Sequence, residues 1–118
     1  MKIVLDGFGG DNAPKEIIKG AVMAVNSFSD LEIIISGRED VINAEIKELG
    51  YNGEKISVLN ANEVIDCNEQ PTVAIRSKKD SSLVVGLDYI KNAEENNISD
   101  VAGFVSAGST GAVLTGAL

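Results

Sequence analysis

Residues 2–14 read KIVLDGFGGDNAP, and how this stretch is parsed decides the fold. Lys2 to Leu5 is a short apolar run of the kind that forms a buried strand. Asp6 to Asn12 is a polar turn carrying Gly7, Gly9 and Gly10. Pro14 suits the first turn of a helix, where its missing N–H leaves no bond unmade. Beyond it Ile17, Ile18, Ala21, Val22, Val25 and Phe28 recur on one helical face. A strand, a glycine-rich turn and a helix make up the first half of a βαβ unit.

The same pattern returns along the chain. Leu31 to Ile35 (LEIII) is a second strand, and Gly37-Arg38 lead into a helix with Val41, Ile42, Ile46 and Leu49 inward. Gly50 stands at that helix's C-terminal end. Ile56 to Leu59 (ISVL) is a third strand, followed by an irregular connection from Asn60 to Pro71. After the basic segment Arg76-Ser77-Lys78-Lys79, the side chains of Asp80, Ser81 and Ser82 are suited to capping a helix. That helix carries Leu83, Val84, Leu87 and Ile90. Val101 to Val105 is the fourth strand, and SAGSTGAVLTGAL follows it.

Strands alternating with helices imply right-handed crossovers and a mostly parallel sheet covered on both faces, a three-layer αβα arrangement. A chain of 118 residues is long enough for one compact domain with a core. It ends at Leu118 inside an apolar segment with no polar ending or C-cap. Residues 1–118 are therefore expected to be the N-terminal part of a single larger α/β domain.

Composition excludes several chemistries. There is no histidine, so neither a Ser-His-Asp nor a Cys-His mechanism can be completed here, and histidine-based zinc sites are excluded. A general acid or base must be Asp, Glu, Lys, Cys or Tyr. The single cysteine, Cys67, permits no internal disulfide and reads best as a small half-buried side chain. The net charge of −8, from 18 acidic and 10 basic residues, argues against nucleic acid as a partner. No apolar stretch approaches the roughly 20 residues that cross a bilayer. Asp6 interrupts the N-terminal apolar run after three residues, so no signal peptide is read and a cytosolic setting is expected. Without a secretory signal the sequon Asn97-Ile98-Ser99 carries no meaning.

Ligands of an open parallel sheet bind beyond the carboxyl ends of its strands, where three polar loops are candidates. In the first, Gly7 and Gly9 fit a G-x-G-x-x-G dinucleotide fingerprint, but the third glycine is replaced by Asn12. Ser36-Gly37-Arg38 stands where the ribose-binding acid is expected, and Asp6 and Asp11 would repel a pyrophosphate. From the residues alone, these glycines read first as a tight turn. In the second loop, Arg76, Lys78 and Lys79 precede a helix start whose N–H groups also bind anions. An anion site and a solvated charged face fit that segment equally. In the third, Ser106 to Gly111 (SAGSTG) places small hydroxyl residues between glycines, which suits a phosphate or acyl-oxygen cradle better than a bare turn. It lacks the lysine of a P-loop.

Three stretches carry a family likeness: GGDNAP at 9–14, AIRSKKDSSLVVGL at 74–87 and FVSAGSTGA at 104–112. In their order and spacing the chain resembles the acyl-carrier-protein-dependent phosphate acyltransferases of bacterial phospholipid synthesis, over essentially its whole length. Gly7-Phe8, Asn12 and Ser109 stand where that family commonly has Ala-Met, His and Asn. The resemblance implies an isocitrate/isopropylmalate dehydrogenase-like (Rossmann-like) fold, truncated here. It implies a reaction in which acyl-ACP and inorganic phosphate give acyl phosphate and free carrier protein. A glycerol-3-phosphate acyltransferase would then consume the product on the way to phosphatidic acid.

It further implies a homodimer, no organic cofactor and no metal. Peripheral membrane contact is expected through a C-terminal part that these residues do not include. The fragment alone is expected to be inactive. Phosphate is expected at Gly9, Gly10 and Asp11, at Arg76, Lys78, Lys79, Ser81 and Ser82, and at Ser106, Gly108, Ser109, Thr110 and Gly111. Arg76, Lys78, Lys79 and Ser109 are the candidates for catalysis. Two alternatives stand beside this reading: an NAD(P)-dependent oxidoreductase of the isopropylmalate dehydrogenase type, and a noncatalytic phosphate-binding module.

Overall fold

The computed structural model describes residues 1–65, 69–96, 100–108 and 110–117. Cys67 and the sequon at 97–99 lie outside these residues. Among the described residues the elements run β1 (Lys2–Asp6), α1 (Lys15–Ser27), β2 (Glu32–Gly37), α2 (Glu39–Glu48), β3 (Ile56–Asn60), α3 (Pro71–Ser77), α4 (Ser82–Glu95), β4 (Val101–Val105) and α5 (Thr110–Ala117). The four strands form one sheet in the order β3-β2-β1-β4, and every pairing is parallel.

Strand alternation builds the layers. Ile3, Leu5, Ile33 and Ile35 pack with Ile18, Ala21 and Val25 of α1 and Ile42 of α2 on one face. Val4 and Ile34 are also buried but are not part of this cluster, because successive side chains point to opposite faces. On the opposite face α4 contacts all four strands. A second core of Ile65, Ala74, Leu83 and Ala112 joins α3, α4 and α5 there. Each fully buried Ile, such as Ile18, Ile35 or Ile42, contributes about 1.5–3 kcal/mol relative to exposure. The expected three-layer α/β architecture is the observed one.

The strand order has a topological consequence. The crossovers through α1 and α2 step outward from β1 to β3. The crossover carrying α3 and α4 then returns past both strands to the far side of β1. Right-handed connections running in opposite directions place their helices on opposite faces of the sheet. The reversal lies between β1 and β4, and in such sheets the crevice at this switch point is where ligands bind. At the opposite end of the sheet Lys2 Nζ lies 3.3 Å from Asp100 Oδ2. That hydrogen bond and charge raise the Lys2 pKa above its usual value.

Two local readings change. Pro14 lies just before α1, at the N-cap, and its carbonyl accepts the Ile18 N–H at 2.9 Å. Residues 71–77, read from sequence as the end of a connection and the start of a basic segment, form the helix α3. Its seven residues bury only Ala74, too little for a helical periodicity to register. The signal available was Pro71, which occupies the first turn of this helix.

The end of α2 follows its glycine as expected. Gly50 has φ +74, its N–H donates to Lys47 O at 3.0 Å, and the Tyr51 N–H donates to Ile46 O at 3.3 Å. This is a Schellman closure. A Cβ at Gly50 meets nothing within 4 Å, so a substitution there tests backbone strain alone. Gly50→Ala is expected to destabilise the fold by about 1–2 kcal/mol, read from the urea midpoint at unchanged m-value.

Candidate functional site

The loops leaving β1 and β4 meet at the switch point, and a buried carboxylate holds them together. Asp6, the last residue of β1, is 2% exposed. Its Oδ1 accepts the Phe8 N–H at 3.0 Å, which tightens the first turn. Its Oδ2 accepts the hydroxyl of Ser106 at 2.9 Å, across 100 residues of sequence. Ser106 Oγ in turn accepts the Gly108 N–H at 3.1 Å. The chain of donors therefore runs from Gly108 through Ser106 to Asp6.

This contact explains Gly9. A Cβ there would lie 2.8 Å from Gly108 N, 2.8 Å from Ser106 Oγ and 2.9 Å from Asp6 Oδ2. All three distances are closer than real side chains come, and one of the neighbours is backbone. Only glycine lets the first loop lie directly on the third. Gly10, with φ +96, sits against the backbone of Ala107, while Asp11 is exposed beyond the turn.

The arrangement redistributes the expected donors. Ser106 has its hydroxyl proton on Asp6 and Gly108 has its N–H on Ser106, so both act as scaffold in this structure. Among the described residues, the N–H groups of Gly9, Gly10 and Ala107 have no hydrogen-bond partner. Thr110 and Gly111 begin α5, where the first N–H groups of a helix have no partner within it. Such a set of N–H groups suits an oxyanion or a phosphate oxygen. Beside it, a cavity of about 350 Å³ is lined by Ser106, Gly108 and Thr110 and by apolar Val113, Leu114 and Ala117. Ser109, the catalytic candidate of this loop, lies outside the described residues.

The middle motif serves two purposes. Arg76 is exposed on the last turn of α3, and Lys78 is its C-cap residue, positions where a cation favours the negative end of the helix dipole. Lys78 Nζ lies 2.7 Å from Glu69 Oε1 and donates to Val64 O at 2.9 Å. Lys79 faces a groove between α3, α4 and α5.

The serines of the motif belong to the scaffold. Ser81 is fully buried and its Oγ caps α4 by accepting the Val84 N–H at 3.2 Å. The Ser82 N–H donates to Glu63 O at 3.0 Å, and its carbonyl accepts the buried Ser36 hydroxyl at 2.7 Å. Asp80 Oδ2 accepts from both the N–H and the amide of Asn62. At the start of α4, the Ser82, Val84 and Val85 N–H groups are thus already bonded.

The basic motif is linked to the loop junction through α3. Pro71, the first residue of α3, packs on Gly111: a Cβ at Gly111 would lie 2.7 Å from Pro71 Cγ. Arg76 is five residues further, about 7.5 Å along the helix axis at roughly 1.5 Å per residue.

Sequence reasoning allowed Asp6 to cap its turn, as its bond to the Phe8 N–H does, but missed its bridge to Ser106 and the bond from Ser36 to Ser82. An acid directly after an apolar strand and a serine directly after another were the available signals. Joining Asp6 to Ser106 and Ser36 to Ser82 requires the tertiary arrangement of β1, β2, β4 and α4.

Comparison with known proteins bears on this site. A family model described as "Fatty acid synthesis protein" matches residues 1–118. A protein of Clostridium tetani (strain Massachusetts / E88) named phosphate acyltransferase is 48% identical over 118 residues. One of Halothermothrix orenii bearing the same name is 45% identical over 118 residues. Each of these matches covers 100% of this chain and 34% of the relative. A third protein of that name, from Clostridium novyi (strain NT), is 47% identical over 117 residues, 99% of this chain and 33% of the relative. The chain thus spans about a third of the length of these curated relatives. None of its described helices is long and apolar enough to cross a membrane.

Proposed function

This chain belongs to the fatty acid synthesis protein family, and on that premise we propose that the protein it represents transfers an acyl group from acyl-ACP to inorganic phosphate. The products are acyl phosphate and free carrier protein, and the acyl phosphate enters phosphatidic acid synthesis. The observation that carries the proposal is the junction of the β1 and β4 loops. It gathers N–H groups with no partner among the described residues at a sheet switch point, in a chain matched throughout to proteins named phosphate acyltransferase.

The chemistry asks for positioning more than for a base. An oxygen of HPO₄²⁻ attacks the thioester carbonyl carbon, a C–O bond forms, and a tetrahedral oxyanion results. The C–S bond then breaks, and the thiolate leaves with the electron pair. A thiol of ordinary pKa is a good enough leaving group that no histidine is needed. Holding phosphate against the carbonyl makes the step effectively unimolecular. N–H groups of Gly9, Gly10, Thr110 and Gly111 supply the oxyanion donors. Arg76, reaching from α3, supplies the fork for phosphate, with Lys78 and Lys79 adding positive potential.

Incubation of the full-length protein with acyl-ACP and phosphate, with the product trapped as hydroxamate by hydroxylamine, tests the reading. Hydroxamate that depends on both substrates is expected. Thermal stabilisation by NAD(P) with no hydroxamate would instead mark a dehydrogenase, and phosphate binding without turnover a noncatalytic module. In the same assay Arg76→Ala is expected to raise the phosphate KM about 10- to 100-fold, the loss of one charge-assisted bidentate contact. An unchanged KM removes Arg76 from the site.

A further inference from the structure

A second surface lies away from the loop junction. Between α3, α4 and α5 runs a groove of about 310 Å³ whose apolar lining is Ile75, Val84 and Leu87 and whose charged lining is Lys79, Asp88 and Lys91. Val84, Leu87, Asp88 and Lys91 are spaced i, i+3, i+4, i+7 and so form one stripe along α4. Lys91 Nζ donates to Gly116 O at 3.3 Å, which holds one cation at the groove. Exposed Arg76 follows Ile75 directly. Neither Arg76, Lys79 nor Lys91 has a carboxylate within ion-pair distance among the described residues. On a chain of net charge −8, the groove lining carries two cations, Lys79 and Lys91, to the single acid Asp88.

The geometry points to this groove as the docking surface for the acyl carrier protein, through a carboxylate-bearing helix or loop of the carrier that inserts one apolar side chain. The assignment rests on the proposed reading, in which the acyl group arrives as a protein-bound thioester. Charge complementarity argues for it. Acidic side chains would meet Lys79 and Lys91, and a short apolar side chain would meet the Ile75–Val84–Leu87 lining. Electrostatic complementarity of this kind speeds and orients encounter.

A partner seated in the groove meets Lys79 and Lys91 directly, while screening to about 8 Å at physiological salt weakens the chain's more distant acids. An anionic bilayer would instead press a broad negative surface on an acidic protein. The groove therefore fits a protein better than a lipid surface.

The test uses the full-length protein, ¹⁵N-labelled and titrated with holo acyl carrier protein at 50 mM and 300 mM salt. Expected are shift changes centred on Ile75, Val84, Leu87 and Lys91, with affinity that falls as salt rises. Lys91→Glu is expected to weaken binding at least five-fold, and Lys91→Arg to keep it. Binding that is absent at low salt, maps elsewhere or is indifferent to Lys91→Glu overturns the surface. So does preferential binding of phosphatidylglycerol vesicles through Lys91. The hydroxamate assay separates the two levels. Acyl phosphate formed by a full-length protein whose Lys91→Glu variant keeps its carrier KM discards the groove and retains the reaction. Absence of acyl phosphate discards the reaction itself.

Discussion

Gly9→Ala is expected to lower stability by about 2–3 kcal/mol, the range of overpacking in a site that cannot relax. A methyl group there enters a space bounded by Gly108 N, Ser106 Oγ and Asp6 Oδ2, all closer than 3.0 Å. None of these can swing away cheaply. The first is backbone, and the other two are hydrogen-bonded to each other. The β1 and β4 loops must then part, which also disperses the N–H groups proposed to hold phosphate. Urea denaturation should therefore show a reduced midpoint, and thermal stabilisation by phosphate should disappear. A Gly9→Ala protein with wild-type midpoint and wild-type phosphate response would show that the two loops are not in contact.

Asp6→Ala is expected to cost a similar amount, about 2–4 kcal/mol, by a different route. The carboxylate is buried and accepts from the Phe8 N–H and the Ser106 hydroxyl, and each orphaned buried donor costs about 1–3 kcal/mol. Ser106→Ala removes one acceptor from Gly108 and one donor from Asp6 and should cost less, about 1–2 kcal/mol. Because the two side chains touch, their effects should not add. The double variant is expected to fall short of the sum by about 1 kcal/mol or more. Additive losses in the denaturation midpoints, or an Asp6→Ala change below 0.5 kcal/mol (about the scatter of neutral surface changes), would exclude the bridge.

Much of the fold is legible in the primary structure because its elements are long enough to show their period. Lys2–Asp6, Glu32–Gly37, Ile56–Asn60 and Val101–Val105 all fall where apolar runs stand between turn residues, and α1, α2 and α4 follow their inward stripes except at the C-caps, where Phe28 and Leu49, read as inward, are exposed because the chain turns away there. The helix α3 escapes notice because seven residues with one buried alanine make no stripe. The segment Arg76 to Ser82 illustrates a different limit. Its residue types fit an anion site and a solvated charged face equally. Yet Ser81 caps a helix, Lys78 pairs with Glu69, and Ser82 ties α4 to β2 and to the strand-like residue Glu63. A hydroxyl or ammonium group reads the same in a sequence whether its partner is a ligand or the fold.

By itself the sequence determined the class of this protein, a parallel α/β sheet with helices on both faces, because hydrophobic periodicity is a local property written every few residues. It also determined the family likeness, through motifs whose order survives without coordinates. Only the tertiary structure decided that residues 6–10 and 106–108 meet. That contact depends on β4 choosing the free edge of β1 over that of β3, a choice made by packing of α4 and the second core across the whole sheet. No residue near Asp6 encodes it, because the hydroxyl that Asp6 holds lies a hundred residues away.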